Sequence, residues 1–174
     1  MKAIIAVVGV LAMSACAGEG KGKGDFDKAP DFSLLDVNDT SASYNSVISP
    51  RDKLGEVSVW YFGHADCPVC SAYFGELDIM QQQLASEGIT IDIVGVNAVG
   101  KESDNGVITE GRDLPWLQDT PDEGVWDAWF AEWRDVIVLN SDNELSWRDN
   151  LTDNDITIEA NYDELYQRIV DTQL

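Results

Sequence analysis

Apolar runs that predict buried strands alternate with segments of helical periodicity through the middle of the chain. Residues 57–62 and 89–96 are rich in β-branched and aromatic side chains, which is typical of strands buried on both faces. Between them, residues 68–87 place apolar side chains at helical spacing and end before Gly88, a common helix stop signal. A strand, a long helix and a second strand predict a right-handed βαβ unit with parallel strands.

Weaker patterns predict the other elements. Loose alternation after a proline predicts an edge strand at 31–37, and a later region predicts a buried strand and its hairpin partner at 136–139 and 144–147. Helical spacing predicts a short amphipathic helix at 125–133 and a closing amphipathic helix at 161–173. The order is α/β, with an antiparallel hairpin near the end of the chain.

Two segments carry no regular pattern. Residues 44–55 are predicted to be an irregular connector. Residues 97–124 are rich in Gly, Asp, Asn and Pro and are predicted to be a long loop or insertion near the active end of the sheet.

The N-terminal segment has the pattern of an export signal. Lys2 is followed by an apolar run over residues 3–13 and then by small residues before Cys16. The run is too short for a spanning helix, so residues 1–15 are predicted to be a signal peptide. A cysteine directly after small residues resembles the lipobox of bacterial lipoproteins, which implies a lipid anchor at Cys16. An ordinary signal peptide cut nearby is the alternative.

A flexible tether is predicted to follow the anchor. Residues 16–28 are rich in Gly and polar side chains and too poor in apolar ones to fold. Residues 29–174 then form one domain, long enough to bury a core. These patterns predict an exported protein that is held at a membrane through its N-terminal lipid and faces the periplasm or the cell exterior.

The charge balance excludes one class of partner. The chain has 32 acidic and 11 basic residues and a formal net charge of −21 at pH 7. Such a charge opposes nucleic-acid binding, which depends on basic contacts to phosphates. The acidic residues are spread along the chain, which indicates a solvated acidic surface. Anionic lipid heads repel such a surface, so attachment to a membrane is expected through the lipid alone.

A Cys-Pro-Val-Cys motif lies where the first central strand meets the long helix. Cys67 is predicted at the helix N-terminus, where unpaired N–H groups and the helix dipole favour the thiolate. Pro68 suits the first helical position. Cys70, three residues later, faces back toward Cys67. The pattern predicts a dithiol redox site in which Cys67 attacks and Cys70 resolves.

Two other interpretations of the motif stay open. A zinc site needs four ligands, and the chain offers three cysteines, one of them the predicted anchor, and one histidine, His64. No metal or other cofactor is therefore predicted. A structural disulfide between Cys67 and Cys70 closes too small a loop to stabilise the fold much. Redox exchange is favoured over both.

The order of the elements and the position of Cys67-Pro68-Val69-Cys70 resemble the thioredoxin fold. Residues 29–34 resemble the opening of the redoxin branch of that superfamily, and residues 114–119 resemble the strand-loop that precedes its later helix. The resemblance implies an α/β, thioredoxin-like domain whose central mixed sheet is flanked by helices.

A closer similarity, over residues 55–150, is to the thioredoxin-like N-terminal domain of selenoprotein P. In that domain a selenocysteine-X-X-Cys follows an Ala and precedes a helix, a Glu-Gly and a strand that ends in Val-Asn. The corresponding positions here are Cys67 with Cys70, Ala65, Glu87-Gly88 and Val96-Asn97. The resemblance implies a redox role for position 67.

The chain departs from the thioredoxin pattern around the motif. Thioredoxins carry a cis-proline that contacts the redox pair and aligns a substrate backbone, and this chain has Arg134 and Asp135 there. Tyr61 stands where many thioredoxins have a buried acid. Asp66 replaces an aromatic residue next to Cys67, and its carboxylate is expected to oppose the thiolate. The candidates for tuning the site are His64, Asp66, Pro68 and Arg134.

His64 and the tryptophans each have two interpretations. His64 pairs with the thiolate or shuttles protons, or else it is a solvated loop residue. Trp126, Trp129 and Trp133 line a substrate groove, or, because their spacing puts them on one helix face, they pack in the core. Core packing is the favoured interpretation.

The leading functional hypothesis is an extracytoplasmic thiol-disulfide oxidoreductase whose partners are protein or small-molecule disulfides or oxidants. A thiol-dependent peroxidase using the same site is one alternative. The other is a non-catalytic binding or metal-carrying module with a static disulfide.

Overall fold

The computed structural model describes residues 25–173. The predicted signal peptide, Cys16 and the first part of the predicted tether lie outside the described residues. Four α-helices run along the described chain: α1 Pro68–Ser86, α2 Asn105–Thr109, α3 Val125–Ala128 and α4 Glu159–Thr172. The strands are β1 Leu34–Leu35, β2 Val47–Ile48, β3 Ser58–Gly63, β4 Asp92–Asn97, β5 Trp116–Gln118, β6 Asp135–Leu139 and β7 Leu145–Asn150.

Five strands form a mixed sheet in the order β5-β4-β3-β6-β7. The strands β3, β4 and β5 are parallel, whereas β6 pairs antiparallel with both β3 and β7. The helix α1 connects the parallel pair β3 and β4, which confirms the predicted βαβ unit, and β6 with β7 forms the predicted hairpin. The domain is α/β with a central mixed sheet flanked by helices, as predicted.

The central strand β3 is buried on both faces because its side chains serve two cores. Val59 and Tyr61 point into the core that holds the apolar residues of α1 and α4. Trp60 and Phe62 point into the opposite core, around the buried Trp129. This alternation explains the uninterrupted apolar run, since no side chain of β3 meets solvent.

The two segments predicted as irregular contain strands. Residues 44–55 include β2, which pairs with β1 in a separate two-stranded sheet. Only Leu34–Leu35 of the predicted edge strand 31–37 forms a strand. Residues 97–124 contain α2 and the sheet edge β5, so a long loop is wrong there as a description of the whole segment, whereas β5 lies in the strand-loop that the resemblance implies at 114–119. Strands of two or three residues are too short to show an alternating pattern.

The helix predicted at 125–133 ends at Ala128. Beyond it the backbone turns twice through the left-handed region, at Phe130 with φ 49° and at Arg134 with φ 74°. The guanidinium of Arg148 holds this turn by donating to the carbonyls of Trp129 and Phe130, at 2.8 and 3.0 Å.

The early end of α3 separates the three tryptophans. Trp129 is buried in the second core, Trp126 is half-buried against it, and Trp133 keeps 44% of its surface exposed. The prediction that all three share one core-facing helix stripe is therefore wrong for Trp133. No helix between residues 25 and 173 is long and apolar enough to cross a bilayer.

Candidate active site

The two cysteines lie where β3 passes into α1. Cys67 is the N-cap residue, with extended backbone, and its Sγ accepts a hydrogen bond from the backbone N–H of Cys70 at 3.2 Å. Pro68 occupies the first helical position, as predicted. Both sulfurs are free thiols; Cys67 is 8% exposed and Cys70 is fully buried. Only Cys67 is therefore open to attack a substrate.

The surroundings of Cys67 favour its thiolate. Burial is the largest influence and opposes the charge, but hydrogen bonds from the Cys70 thiol, the Cys70 N–H and the Arg134 guanidinium outweigh it. The net result is a Cys67 pKa below that of an ordinary thiol. These contacts favour the thiolate, which is the form that attacks a disulfide.

The pKa of Cys70 is shifted in the opposite direction. Burial, and the hydrogen bond that its thiol makes to Cys67, raise the Cys70 pKa, although nearby donors act against this. One of those donors is the indole N–H of Trp133, 3.0 Å from the Cys70 sulfur. Tyr61 donates from its hydroxyl to the Cys70 carbonyl at 3.4 Å. The two thiols of one motif are thus chemically unequal.

Arg134 stands beside Cys67, at the position where the resemblance implies a cis-proline. No peptide bond between residues 25 and 173 is cis. One terminal nitrogen of the guanidinium, Nη2, is 3.9 Å from the Cys67 sulfur, and the other, Nη1, donates to Thr152 Oγ1 at 3.3 Å. The group also lies over the Trp133 ring, 4.1 Å from its centroid. Burial works against the guanidinium charge, but hydrogen bonds to the two sulfurs raise the Arg134 pKa.

His64 belongs to an aromatic stack. Its imidazole lies 5.0 Å from the Trp133 ring, nearly parallel, and 5.3 Å from Trp126. Burial first and the charge of Lys101 second lower the His64 pKa, so the ring is neutral at pH 7. Within the described chain no hydrogen bond joins the imidazole to either sulfur. The backbone carbonyl of His64 instead accepts from the Cys67 N–H at 3.1 Å.

Asp66 has a partner that the sequence analysis did not foresee. Its carboxylate accepts from the Lys101 ammonium at 2.5 Å, and this hydrogen bond lowers the Asp66 pKa. The positive charge of Lys101 compensates the carboxylate, so the expected opposition of Asp66 to the thiolate is offset. Lys101 is contributed by the segment that was predicted to be a loop.

A cavity of about 290 Å³ lies next to Cys67. It is formed by the start of α1 and by residues of the segment 97–124, which confirms that this segment reaches the site. The lining residues are Ala65, Asp66, Cys67, Pro68, Ser71, Asp104 and Val107. Sequence reasoning missed Asp104 and Val107, because nothing in their local pattern indicates contact with the motif.

Trp133 and Thr152 are further site residues that sequence reasoning did not place. The spacing of Trp133 predicts a core position, and only its place next to Arg134 indicates a link to the site. Thr152 comes from the turn after β7 and has no sequence signal at all. Among the residues the structure describes, no group of three or more His, Cys, Asp or Glu side chains could hold a metal ion.

No known family model and no curated protein matches the sequence. Solved structures do match. A protein assigned as the thiol:disulfide interchange protein DsbE of Chlorobium tepidum superposes with a TM-score of 0.66 at 20% identity, over 85% of this chain and 96% of that one. A protein assigned as a thioredoxin of Neisseria meningitidis gives a TM-score of 0.64 at 19% identity, over 85% and 91%.

A third similar structure is the thioredoxin domain of a thiol-disulfide oxidoreductase of Bacteroides vulgatus. Its TM-score is 0.57 at 16% identity, over 74% of this chain and 89% of that one. Together with the strand order, these similarities show that the chain has a thioredoxin-like fold.

Proposed function

We propose that this protein is an extracytoplasmic thiol-disulfide oxidoreductase that uses Cys67 and Cys70. The observation that carries the proposal is the inequality of the two thiols. Cys67 is reachable, with a lowered pKa, and Cys70 is buried, with a raised pKa. An exchange site needs this division between an attacking thiolate and a resolving thiol that stays protonated until the first step is complete.

The proposed reaction has two exchange steps. The Cys67 thiolate attacks one sulfur of a substrate disulfide, which forms a mixed disulfide and releases one substrate thiolate, which takes up a proton. Cys70 then loses its proton and attacks the Cys67 sulfur, which releases the second substrate thiol. The substrate gains two electrons and the protein is left with the Cys67–Cys70 disulfide. The reverse sequence oxidises a substrate dithiol.

Three donor contacts support these roles of the two cysteines. The N–H of Cys70 and the guanidinium of Arg134 both point at the Cys67 sulfur, where negative charge resides in the reduced protein. Trp133 donates to Cys70, where charge develops when the mixed disulfide is resolved. A static disulfide would need neither set of donors.

The reduction potential of the Cys67–Cys70 couple tests the proposal. We expect a value between about −120 and −270 mV, the range of known exchange enzymes. The couple is measured by alkylation and mass spectrometry in defined redox buffers. A couple that resists reduction below about −300 mV would indicate a structural bridge and the non-catalytic module instead. Peroxide consumption that depends on Cys67 but not on Cys70 would favour the peroxidase.

We also propose that the domain, residues 29–174, is exported and tethered through a lipid on Cys16. The support is the pattern of residues 1–15, the position of Cys16 after small residues, and the Gly-rich segment 16–28. The full chain is expected to incorporate a labelled fatty acid in its native host, and the Cys16→Ser variant is expected to incorporate none. Equal labelling of the two proteins would contradict the anchor.

The similarity to the N-terminal domain of selenoprotein P is likewise a proposal. Its support is the set of matching positions around Cys67 and the location of that residue at the N-terminus of α1, where a selenolate would be stabilised as a thiolate is. The codon for position 67 in the natural gene tests whether selenium is used there.

A further inference from the structure

The segment just before β6 is built in an unusual way. Phe130 and Arg134 both have positive φ although neither is glycine, a backbone conformation that is strained for residues with a Cβ atom. Between them the chain presents Trp133 to the redox pair. Strain of this kind at a site is expected where the arrangement itself has a use.

Three backbone groups of Trp133 and Arg134 already make hydrogen bonds within the protein. The N–H of Arg134 donates to the Phe62 carbonyl at 2.9 Å, and its carbonyl accepts from the Leu151 N–H at 3.0 Å. The Trp133 carbonyl accepts from Asn150 Nδ2 at 3.0 Å. These three groups are therefore not free to pair with a polypeptide substrate as an added strand, which leaves recognition here to side chains.

The guanidinium of Arg134 has hydrogen-bond donors that the protein itself does not use. It carries five N–H donors, and within the described chain these meet the Thr152 hydroxyl and the sulfurs of Cys67 and Cys70. Its Nε is buried and has no hydrogen-bond partner among residues 25–173, so a substrate is bound through the terminal nitrogens. The sequence has 32 acidic residues, yet no carboxylate of the described chain forms an ion pair with Arg134.

The two sides of Cys67 differ in the charge of the side chains that surround it. Asp66 and Asp104 line the cavity next to it, whereas Arg134 and Trp133 do not take part in that lining. Lys101, the other nearby cation, is already paired with Asp66. Because Lys101 compensates Asp66, the acid of the cavity without an ion pair in the described chain is Asp104, and an anionic group that approaches the Cys67 sulfur is favoured on the Arg134 side.

We infer that the substrate is a small disulfide that carries a carboxylate, and that Arg134 binds this carboxylate while Cys67 attacks. The inference rests on the proposed function and names the substrate class for it. A guanidinium suits the role because it binds carboxylates in a planar, two-pronged geometry. Arg134 thus acts twice: it stabilises the thiolate, and it selects for the charge of the disulfide.

Three small disulfides of different charge separate these two actions. Reduced protein is mixed with anionic glutathione disulfide, neutral hydroxyethyl disulfide or cationic cystamine, and the loss of free Cys67 is followed by quenched alkylation and mass spectrometry. Each rate is divided by the rate at which a simple thiol reacts with the same disulfide. Any change in thiolate fraction alters all three rates equally, so it cancels in the ratio of anionic to neutral rates.

The wild-type ratio is expected to exceed one and to fall as salt is added, because salt screens charge attraction. Arg134→Gln is expected to lower the ratio about tenfold, the effect of losing a charge-assisted hydrogen bond. Arg134→Lys is expected to restore part of it. Arg168→Gln, which removes the same charge from the exposed face of α4, is the matched control and is expected to leave the ratio unchanged.

An anionic to neutral ratio that is equal in wild type and Arg134→Gln would overturn the inference while leaving the proposed function intact. A higher normalised rate with cystamine than with glutathione disulfide would also overturn the inference and leave the proposed function intact. Failure of the reduced protein to react with any of the three disulfides would overturn the proposed function as well, so the two failures are distinguishable. Thermal unfolding midpoints of Arg134→Gln and Arg134→Lys that equal the wild-type midpoint exclude a folding defect as the cause of a lower ratio.

Discussion

Replacing Cys67 with serine is expected to abolish disulfide exchange, a loss of about a thousandfold or more, since a hydroxyl does not supply the nucleophile at neutral pH. Replacing Cys70 with serine is expected to have a different effect. The first attack continues, because Cys67 keeps its place at the start of α1 and its contact with Arg134. Without the resolving thiol, the mixed disulfide accumulates.

Intact mass and peptide mapping measure this difference. The Cys70→Ser variant should gain one substrate half per chain on Cys67, and the Cys67→Ser variant and the double variant should gain none at either position. Mapping also separates any adduct on Cys16. An adduct on Cys70 of the Cys67→Ser variant, with a rate equal to that of wild type, would reverse the assigned roles.

The pH dependence of the two steps follows from the opposite pKa shifts. The Cys67 pKa is lowered, so the rate of adduct formation in Cys70→Ser should rise with pH and level off at a lower pH than for an ordinary thiol. The Cys70 pKa is raised, so the resolving step in the wild-type protein should continue to accelerate at higher pH. Stopped-flow rates measured from pH 5 to about 10 check the directions of both pKa shifts.

Replacing Trp129 with alanine is expected to destabilise the protein by about 3–5 kcal/mol, the range for a fully buried large aromatic residue. Its ring is unexposed and lies within 5.3 to 5.7 Å of four other aromatic rings, those of Phe26, Phe32, Trp60 and Phe62. Its indole N–H also donates to the Pro30 carbonyl at 2.8 Å. Urea unfolding followed by circular dichroism measures the loss.

Trp133→Phe is the matched comparison. Trp133 is 44% exposed, so its replacement should change the free energy of unfolding by less than about 1 kcal/mol. The phenyl ring keeps the stacking on His64 but loses the N–H that reaches Cys70. Because that N–H acts to lower the Cys70 pKa, its loss should slow the resolving step. A variant as unstable as Trp129→Ala would show that Trp133 is a core residue after all.

The sequence by itself determined the strands and the helix that carry the site. Strands buried on both faces need long apolar runs, so residues 57–62 and 89–96 were evident, and a helix of nineteen residues between them shows its period clearly. The placement of Cys67 at the helix N-terminus followed from that boundary. The α/β order of the elements agreed with the structure because these patterns are local, whereas the central mixed sheet was implied by the resemblance to the thioredoxin fold.

Only the tertiary structure decided which side chains meet the two sulfurs. Helical spacing made Trp129 and Trp133 equivalent, but the chain leaves the helix at Ala128, and Arg148, far along the sequence, fixes the turn that exposes Trp133. The partner of Asp66 is likewise distant in sequence, because Lys101 comes from another segment. Contacts between remote segments depend on how the sheet brings them together, and no local pattern records them.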